Sequence, residues 1–241
     1  MPLTRLRPKA LCPIDNIPLL DRALHQVRDA GVTDVAVNAH HLAAQVVAHA
    51  GDRAFLSVEH PEALGTAGAV AALGGWLAGR DALICNADAY RDGGLHPLLA
   101  GWSGDRPRVL VVRDATRGDF GQWRFAGASL LPARDAERLT RTPAGLYETV
   151  WRTAHAAGQL ELVEHSGCFI DCGTPASYLA ANLHASGGAS VVGAGAVVRG
   201  ELVRSVVWAG AVVAAGERLV DSVRADGLTV DCRAERTAAG G

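Results

Sequence analysis

Short apolar runs alternate along most of the chain with longer stretches in which apolar side chains recur every three or four residues. The stretch from Pro18 to about Ala30 has this helical spacing, begins at a proline and ends before Gly31, so it predicts an amphipathic helix. The same criteria predict an extended segment at 1–17, helices at 41–50, 66–77, 146–157 and 175–184, and strands at 34–38, 55–59, 82–86, 108–113, 124–128, 160–163 and 168–171. Helices that alternate with short apolar strands indicate an α/β domain with a mostly parallel sheet, whose ligands bind beyond the carboxyl ends of the strands.

The pattern changes after Ser186-Gly187-Gly188. From Ala189 to about Val230 the chain consists almost entirely of valine, alanine, glycine and small polar residues, without a helical period. The segment Val192–Val198 recurs loosely at Ala209–Val213. A period near six residues is typical of a parallel β-helix, so we predict two or three short coils of this kind.

Composition and charge narrow the choice of partners. The chain has 241 residues, 49% of them apolar, and a net charge of −2 from 23 basic and 25 acidic residues, which argues against nucleic acid or an anionic membrane as the main partner. No apolar run reaches the length of a membrane span, and the start lacks the apolar core of a signal peptide. The five cysteines are scattered, and Cys168 and Cys172 have no second pair or nearby histidines to complete a zinc site. We therefore predict free thiols in a reducing, cytoplasmic setting.

Four segments carry the candidate chemistry, and together they resemble the sugar-nucleotide pyrophosphorylase family of sugar-1-phosphate nucleotidyltransferases. They are Arg7–Pro13, Leu64–Ala69, Leu83–Asp88 and Phe169–Asn182. They resemble the family's R-P-K-x-L-x-P, L-G-T-A-x-A/S, N-G/A-D and W-x-D-x-G-T-P-x-x-Y-L-x-A-N patterns, with Phe169 at the tryptophan position. The last is the most specific, because it fixes many positions in one stretch. The resemblance covers residues 4–184, and the predicted coils agree with it.

The resemblance implies a role for residues in the first two segments. Lys9, the only lysine, would reach the phosphates, where negative charge grows during transfer, and Arg7 would assist as a second cation. Leu64, Gly65 and Thr66 would bind the nucleotide, with the glycine letting backbone approach the base. The Thr66 hydroxyl would also cap the following helix. The alternatives are a surface lysine in a turn and an ordinary helix start.

The other two segments imply a metal and a sugar site. Asp88 and Asp171 would bind one Mg²⁺ that neutralises the phosphates, and no nucleophilic side chain is needed because the sugar phosphate itself attacks. Asn86, Gly127 and Glu148 would contact the sugar. The alternatives are that Asp88 caps the helix near Leu95 and that Glu148 lies on a solvated helix face.

Two departures from the family pattern affect the expected activity. The family opens with a strand and a G-G-x-G-T-R-type loop, whereas Met1–Thr4 stands where only the end of that region is expected. The resemblance therefore implies that the sheet lacks its central strand and that this chain has little activity. The family's V-E-K-P-like lysine also has no match between Val109 and Phe125, and Arg113, Arg117 or Arg124 are candidates to replace it.

The resemblance thus implies a Rossmann-like nucleotidyltransferase domain at 1–186 without its first strand and glycine-rich loop, a short left-handed parallel β-helix of hexapeptide-type repeats at 187–232, and a disordered C-terminus at 233–241. The expected substrates are an NTP (GTP, dTTP or UTP) and a sugar 1-phosphate, and the preferred activity is that of a mannose-1-phosphate guanylyltransferase. The alternatives are a catalytically impaired nucleotide-sugar-binding or regulatory subunit and, last, a hexapeptide-repeat acyltransferase. The coils are expected to mediate homo-oligomer formation.

Overall fold

The N-terminal segment forms turns and a hairpin rather than the extended run that the sequence predicts. A computed structural model describes residues 2–233, beginning with 3-10 turns at Pro2–Arg5 and Lys9–Leu11. Strands β1 (Pro13–Ile14) and β2 (Ile17–Pro18) then pair antiparallel around Asp15 and Asn16. Both turn residues have positive φ, 49° and 62°, and aspartate and asparagine tolerate the left-handed conformation that a two-residue hairpin turn requires.

The predicted alternation of helices and strands is present in the following residues. The first elements are α1 (Leu19–Asp29), β3 (Ala36–Ala39), α2 (Ala43–Ala50), a 3-10 turn (Gly51–Arg53), β4 (Phe55–Val58), α3 (Gly65–Ala72), α4 (Gly74–Leu77), β5 (Ala82–Cys85), β6 (Ala89–Arg91) and α5 (His96–Leu99). They are followed by β7 (Arg108–Arg113), β8 (Trp123–Leu131), α6 (Ala133–Ala136), a π-helix (Tyr147–Trp151), α7 (Arg152–Ala156), β9 (Glu161–Glu164), β10 (Phe169–Asp171) and α8 (Pro175–Ala185).

The largest sheet of this region is mixed, so the prediction of a mostly parallel sheet is wrong here. Its strand order is β5-β8-β7-β9, and only β7 and β9 run parallel. Strand β8 is antiparallel to both β5 and β7, because the loop between Arg113 and Trp123 simply reverses the chain and no crossover helix intervenes. Strands β3 and β4, which are joined through α2, form a separate parallel pair.

The chain divides into two compact units. The first consists of residues 2–22, 87–90 and 169–233 of the described chain, and the second of residues 23–86 and 91–168. In the second unit the core lies between the mixed sheet and its helices and includes Val109, Val111, Leu131, Leu146 and Trp151. None of the described helices is long and apolar enough to cross a membrane.

The C-terminal part of the first unit is a stack of very short strands. They are β11 (Val191–Val192), β12 (Val197–Val198), β13 (Glu201–Val203), β14 (Val206–Val207), β15 (Val212–Val213), β16 (Arg218–Val220), β17 (Ser222–Ala225) and β18 (Leu228–Asp231). Successive strands belong to three different parallel ladders, β11-β14-β17, β12-β15 and β13-β16, and β18 pairs antiparallel with β17. This pattern is compatible with the predicted β-helix, whose handedness stays a prediction. Residues 234–241, most of the predicted disordered C-terminus, lie outside the described residues.

Candidate functional site

Lys9 lies between the two aspartates that the sequence analysis paired with it. Its Nζ donates to Asp88 Oδ2 at 3.0 Å and to Asp171 Oδ1 at 3.2 Å, although these residues are 79 and 162 positions away in sequence. All three residues belong to the first compact unit. The structure therefore brings Lys9, Asp88 and Asp171 together, while their roles in catalysis and metal binding remain predictions.

The local backbone explains why these side chains meet. Asp88 directly precedes β6 and Asp171 is the last residue of β10, and these two strands are hydrogen-bonded neighbours. The aspartates thus flank a two-stranded ladder and do not project from the edge of a parallel sheet. The 3-10 turn Lys9–Leu11 presents Lys9, and the Cys12 N–H closes that turn onto the Lys9 carbonyl at 3.0 Å.

Electrostatics keep the lysine charged. Partial burial lowers the pKa of Lys9, but the charges and hydrogen bonds of Asp88 and Asp171 together outweigh it and raise the pKa above the ordinary lysine value. The Lys9 side chain is 22% exposed, whereas the Asp88 and Asp171 side chains are 49% and 47% exposed. The site therefore holds a charged lysine beside two carboxyl groups that are about half exposed to solvent.

The donor set fits a hard divalent cation. Mg²⁺ is bound in proteins through one or two carboxylates together with substrate phosphates and water, and Asp88 and Asp171 offer two carboxylates about half exposed. In residues 2–233 there is no group of three or more His, Cys, Asp or Glu side chains that could hold a metal by themselves. Phosphate oxygens would therefore have to complete the coordination.

Two thiols close to Lys9 in the fold are protonated and therefore weakly nucleophilic at neutral pH. Burial raises the pKa of Cys12 to about 11 and the pKa of Cys172 to about 12, and both side chains are fully buried. Because the thiolate is the nucleophilic form, neither cysteine is activated at neutral pH. All five cysteines are free, in agreement with the sequence.

Arg7, the predicted second cation, is held by an aromatic ring. Its guanidinium carbon lies 4.7 Å from the centroid of Trp208, which belongs to the C-terminal stack of strands. A guanidinium at this distance from an indole makes a cation–π contact. Arg7 is half-buried in the same 2–22 segment that carries Lys9.

In the second unit, Leu64, Gly65 and Thr66 form a turn that packs against the segment before Glu148. The Ala144 N–H donates to the Leu64 carbonyl at 2.9 Å, and the Ala67 N–H donates to the Ala144 carbonyl at 3.0 Å. Gly65 has φ of 66°, and a Cβ there would lie 2.6 Å from the Ala144 oxygen, so glycine is required by the chain's own packing. The capping prediction for Thr66 is wrong: α3 begins at Gly65, its N-cap is Leu64, and no side chain caps it.

Two of the predicted sugar-binding residues are adjacent in this unit. The Asn86 N–H, just after β5, donates to the Gly127 carbonyl at 2.8 Å. Gly127 has φ of 77° and lies where the register of β7 and β8 shifts between Val109 and Val111. The bond between the Asn86 N–H and the Gly127 carbonyl continues the β5–β8 ladder by one residue pair.

Glu148 lies in a π-helix, an element that often occurs at functional sites. One of its carboxylate oxygens folds back over Gly145, where a Cβ would lie 2.3 Å from it. The arginines considered as substitutes for the family lysine are engaged in the β7–β8 hairpin: Arg113 donates to Gln122, while Arg117 and Arg124 pair with Asp114.

Comparison with known proteins identifies the family. A family model described as "MobA-like NTP transferase domain" matches residues 4–157. The chain belongs to this family of nucleotidyltransferases. The expectation of a nucleotidyltransferase is confirmed, and the match extends over Arg7, Lys9, Asp88 and every candidate residue of the second unit, whereas Asp171 lies beyond it.

Solved structures agree on the fold of this NTP transferase. A Bacillus anthracis protein described as a glucose-1-phosphate thymidylyltransferase, in complex with sucrose, has a TM-score of 0.65 at 17% identity, over 76% of this chain and 89% of that one. HddC from Yersinia pseudotuberculosis has a TM-score of 0.61 at 18% identity, over 73% of this chain and 89% of that one. The same protein complexed with GMP-PN has a TM-score of 0.58 at 17% identity, with the same coverage of both chains.

A buried glutamate of this NTP transferase was not predicted from the sequence. Glu59, only 5% exposed, accepts from the Asn38 amide at 2.9 Å and from the Leu64 N–H at 2.9 Å. It thus holds the start of the Leu64–Thr66 turn. A glutamate at the end of an apolar strand, five residues before a glycine-containing turn, was the signal available in the sequence.

Proposed function

We propose that the chain is a sugar-1-phosphate nucleotidyltransferase that joins a sugar 1-phosphate to an NMP from an NTP and releases pyrophosphate. In this reaction a phosphate oxygen of the sugar phosphate attacks the α-phosphorus, a new P–O bond forms, and the bond to pyrophosphate breaks. The observation that carries the proposal is the convergence of Lys9, Asp88 and Asp171.

Each of these three residues has a role that the reaction needs. The Lys9 ammonium, kept charged by its two partners, would stabilise the negative charge on the nonbridging oxygens of the α-phosphate. Asp88 and Asp171 would hold Mg²⁺, which supplies charge neutralisation of the phosphates. No side chain has to act as a nucleophile, and the neutral thiols of Cys12 and Cys172 agree with this.

The remaining candidate residues would bind the two substrates. We assign Arg7 and the turn Leu64, Gly65 and Thr66 to the nucleotide, because a cation suits the phosphates and a glycine lets backbone approach a base. We assign Asn86, Gly127 and Glu148 to the sugar, and the bond between the Asn86 N–H and the Gly127 carbonyl supports a common subsite for the first two.

GTP and mannose 1-phosphate are the first substrates to test, followed by dTTP or UTP with other sugar phosphates. The GMP-PN complex of the HddC neighbour supports a guanine nucleotide, and the thymidylyltransferase description of the other neighbour supports the second choice. The free thiols support a reducing, cytoplasmic setting. Valines exposed on the C-terminal strands support a homo-oligomer: Val192, Val197 and Val212 are 42%, 41% and 50% exposed.

The test is pyrophosphate release with Mg²⁺ across four NTPs and a panel of sugar 1-phosphates. We expect Asp88→Asn, Asp171→Asn and Lys9→Met each to lower kcat at least about a hundredfold, the size of effect that removing one charge-stabilising group produces. Asp52→Asn, an exposed aspartate in the second unit, is the matched control and should keep full activity.

Two outcomes would change the assignment. Unchanged rates in both Asp88→Asn and Asp171→Asn would refute the metal site. Absence of pyrophosphate release by the wild type, combined with calorimetric binding of NTP or sugar nucleotide, would replace the enzyme with the nucleotide-sugar-binding subunit.

A further inference from the structure

Two residues of the D-x-G-T-P-x-x-Y-L-x-A-N segment have no part in the chemistry described above. Tyr178 and Asn182 lie one turn apart on α8, and both side chains are fully buried. The Asn182 amide donates to the Tyr178 carbonyl at 3.0 Å, so the two residues form one unit on the helix. Buried polar side chains are nearly always hydrogen-bonded, and the other partners of these two residues lie outside the helix.

Both residues hold the hairpin that follows Lys9. The Tyr178 hydroxyl donates to the Pro13 carbonyl, and the Asn182 side-chain oxygen accepts from the Asp15 N–H at 3.0 Å. Burial raises the pKa of Tyr178, so its hydroxyl keeps the proton that this bond requires. Pro13 is separated from the Lys9–Leu11 turn only by Cys12, whose own N–H bonds to the Lys9 carbonyl. The backbone that presents Lys9 is therefore anchored just after its turn.

A second anchor comes from the C-terminal strands. The indole N–H of Trp208, one of the largest fully buried side chains, donates to the Tyr178 hydroxyl at 3.0 Å. The flat face of the same indole carries the Arg7 guanidinium at 4.7 Å. The Asn16 amide also donates to the Val192 carbonyl at 3.1 Å. Trp208 thus contacts the Lys9 segment before the lysine, through Arg7, and after it, through Tyr178 and Pro13.

We propose that Trp208 and Tyr178 are positioning residues for Lys9, so that the C-terminal strands belong to the catalytic unit of this transferase. The inference rests on the proposed function for its kinetic consequence, but its structural content is independent of it. The indole N–H donates to the Tyr178 hydroxyl, and that hydroxyl donates to the Pro13 carbonyl. These two hydrogen bonds fix the backbone just after the Lys9–Leu11 turn. The contact between Arg7 and the Trp208 ring fixes the backbone just before the same turn.

The sole lysine provides a direct reporter for this positioning. Protein made with ¹³C- and ¹⁵N-labelled lysine gives side-chain NMR signals from Lys9 alone. Tyr178→Phe removes one oxygen and leaves the indole N–H and the Pro13 carbonyl without their shared partner. Trp208→Phe keeps an aromatic face for Arg7 and removes the N–H donor, together with part of the buried ring volume. Ser222→Ala is the matched control, since it removes a buried hydroxyl that bonds to Val220 within the same strands and does not contact the hairpin.

We expect both test variants to move the Lys9 CεH₂ signals toward those of a free lysine, while Ser222→Ala leaves them in place at equal loss of thermal stability. We expect kcat to fall about tenfold to a hundredfold in the test variants, with the KM for the NTP within about twofold of wild type, because a small misplacement of a catalytic group acts mainly on the transition state. Circular dichroism selects the folded variants, and Tyr178→Phe, which removes a single oxygen, serves if Trp208→Phe does not fold.

Lys9 signals that stay at their wild-type positions in the folded variants would overturn the inference, as would an equal effect in Ser222→Ala. Wild-type kcat in variants with displaced Lys9 signals would also overturn it. If the wild-type protein has no turnover with any substrate, the proposed function fails, but the NMR comparison still decides whether Trp208 and Tyr178 position Lys9.

Discussion

Removing the carboxylates beside Lys9 changes the titration of this lysine in a direction that the structure fixes. Asp88 and Asp171 raise its pKa, and partial burial opposes them. We therefore expect Asp88→Asn and Asp171→Asn each to lower the pKa of Lys9. In the double variant only burial remains, so the pKa of Lys9 should fall below the ordinary lysine value.

The size of the effect follows from distance and exposure. The Lys9 Nζ lies 3.0 Å and 3.2 Å from the two carboxylate oxygens, but those carboxylates are 49% and 47% exposed. Charges about 4 Å apart interact by about 1 kcal/mol in water and about 4 kcal/mol at an effective dielectric constant of 20, and solvent exposure puts each pair near the lower figure. The double variant should therefore lose about 1–2 kcal/mol of unfolding free energy at pH 7.

The pH dependence has a definite sign. Because the folded-state pKa of Lys9 is raised, this stabilisation is fully present below the unfolded lysine pKa and is lost as the pH rises through the folded value. Urea unfolding of wild type and double variant should thus differ at pH 7 and converge above the titration of Lys9.

The assay is an NMR titration of the single labelled lysine, with Asp52→Asn as the control that should titrate like wild type. Added Mg²⁺ should move the same signal in the wild type and not in the double variant, because the ion competes with the ammonium for the two carboxylates. A double variant whose Lys9 titrates at the wild-type pH would refute the electrostatic reasoning.

Two further predictions concern the second unit. Gly65→Ala should lower the urea midpoint by more than Gly31→Ala does: both glycines have positive φ, costing about 1 kcal/mol, but only Gly65 has a carbonyl oxygen 2.6 Å from the added Cβ, whereas Gly31 has nothing within 4 Å. Equal losses would show that the Ala144 contact relaxes freely. Glu59→Ala should cost about 2–3 kcal/mol of unfolding free energy, because the Asn38 amide and the Leu64 N–H both lose their acceptor. Asp52→Ala should change stability by less than about 0.5 kcal/mol, and a Glu59 variant equal to it would contradict the assigned bonds.

Local sequence signals predicted most elements within a few residues. The helix from Pro18 is present as α1, the strand at 108–113 is β7, and the closing helix is α8. These predictions are correct because helical spacing, a Thr-Pro helix start and short apolar runs depend only on residues that are close together in sequence. The predicted helix at 66–77 is divided into α3 and α4 at Leu73, and the helix at 146–157 begins as a π-helix.

Long-range pairing was predicted less well. The mixed sheet was missed although the connection between Arg113 and Trp123 is too short for the crossover that parallel strands need. The acceptor role of Glu59 and the bonds of Tyr178 and Trp208 were missed because each depends on partners far away in sequence.

The sequence by itself determined the helices, most strands, the family and the short list of charged residues to consider, because those follow from local spacing and from motifs of neighbouring residues. Only the tertiary structure decided that the Lys9 ammonium meets both Asp88 and Asp171, that Arg7 stacks on Trp208, and that Tyr178 bonds to the Pro13 carbonyl. These contacts join segments as much as two hundred positions apart, and their geometry depends on how the β6–β10 ladder, α8 and the C-terminal strands pack around the N-terminal hairpin. No local pattern encodes such packing, because a side chain's partner is set by the shape of the whole folded unit.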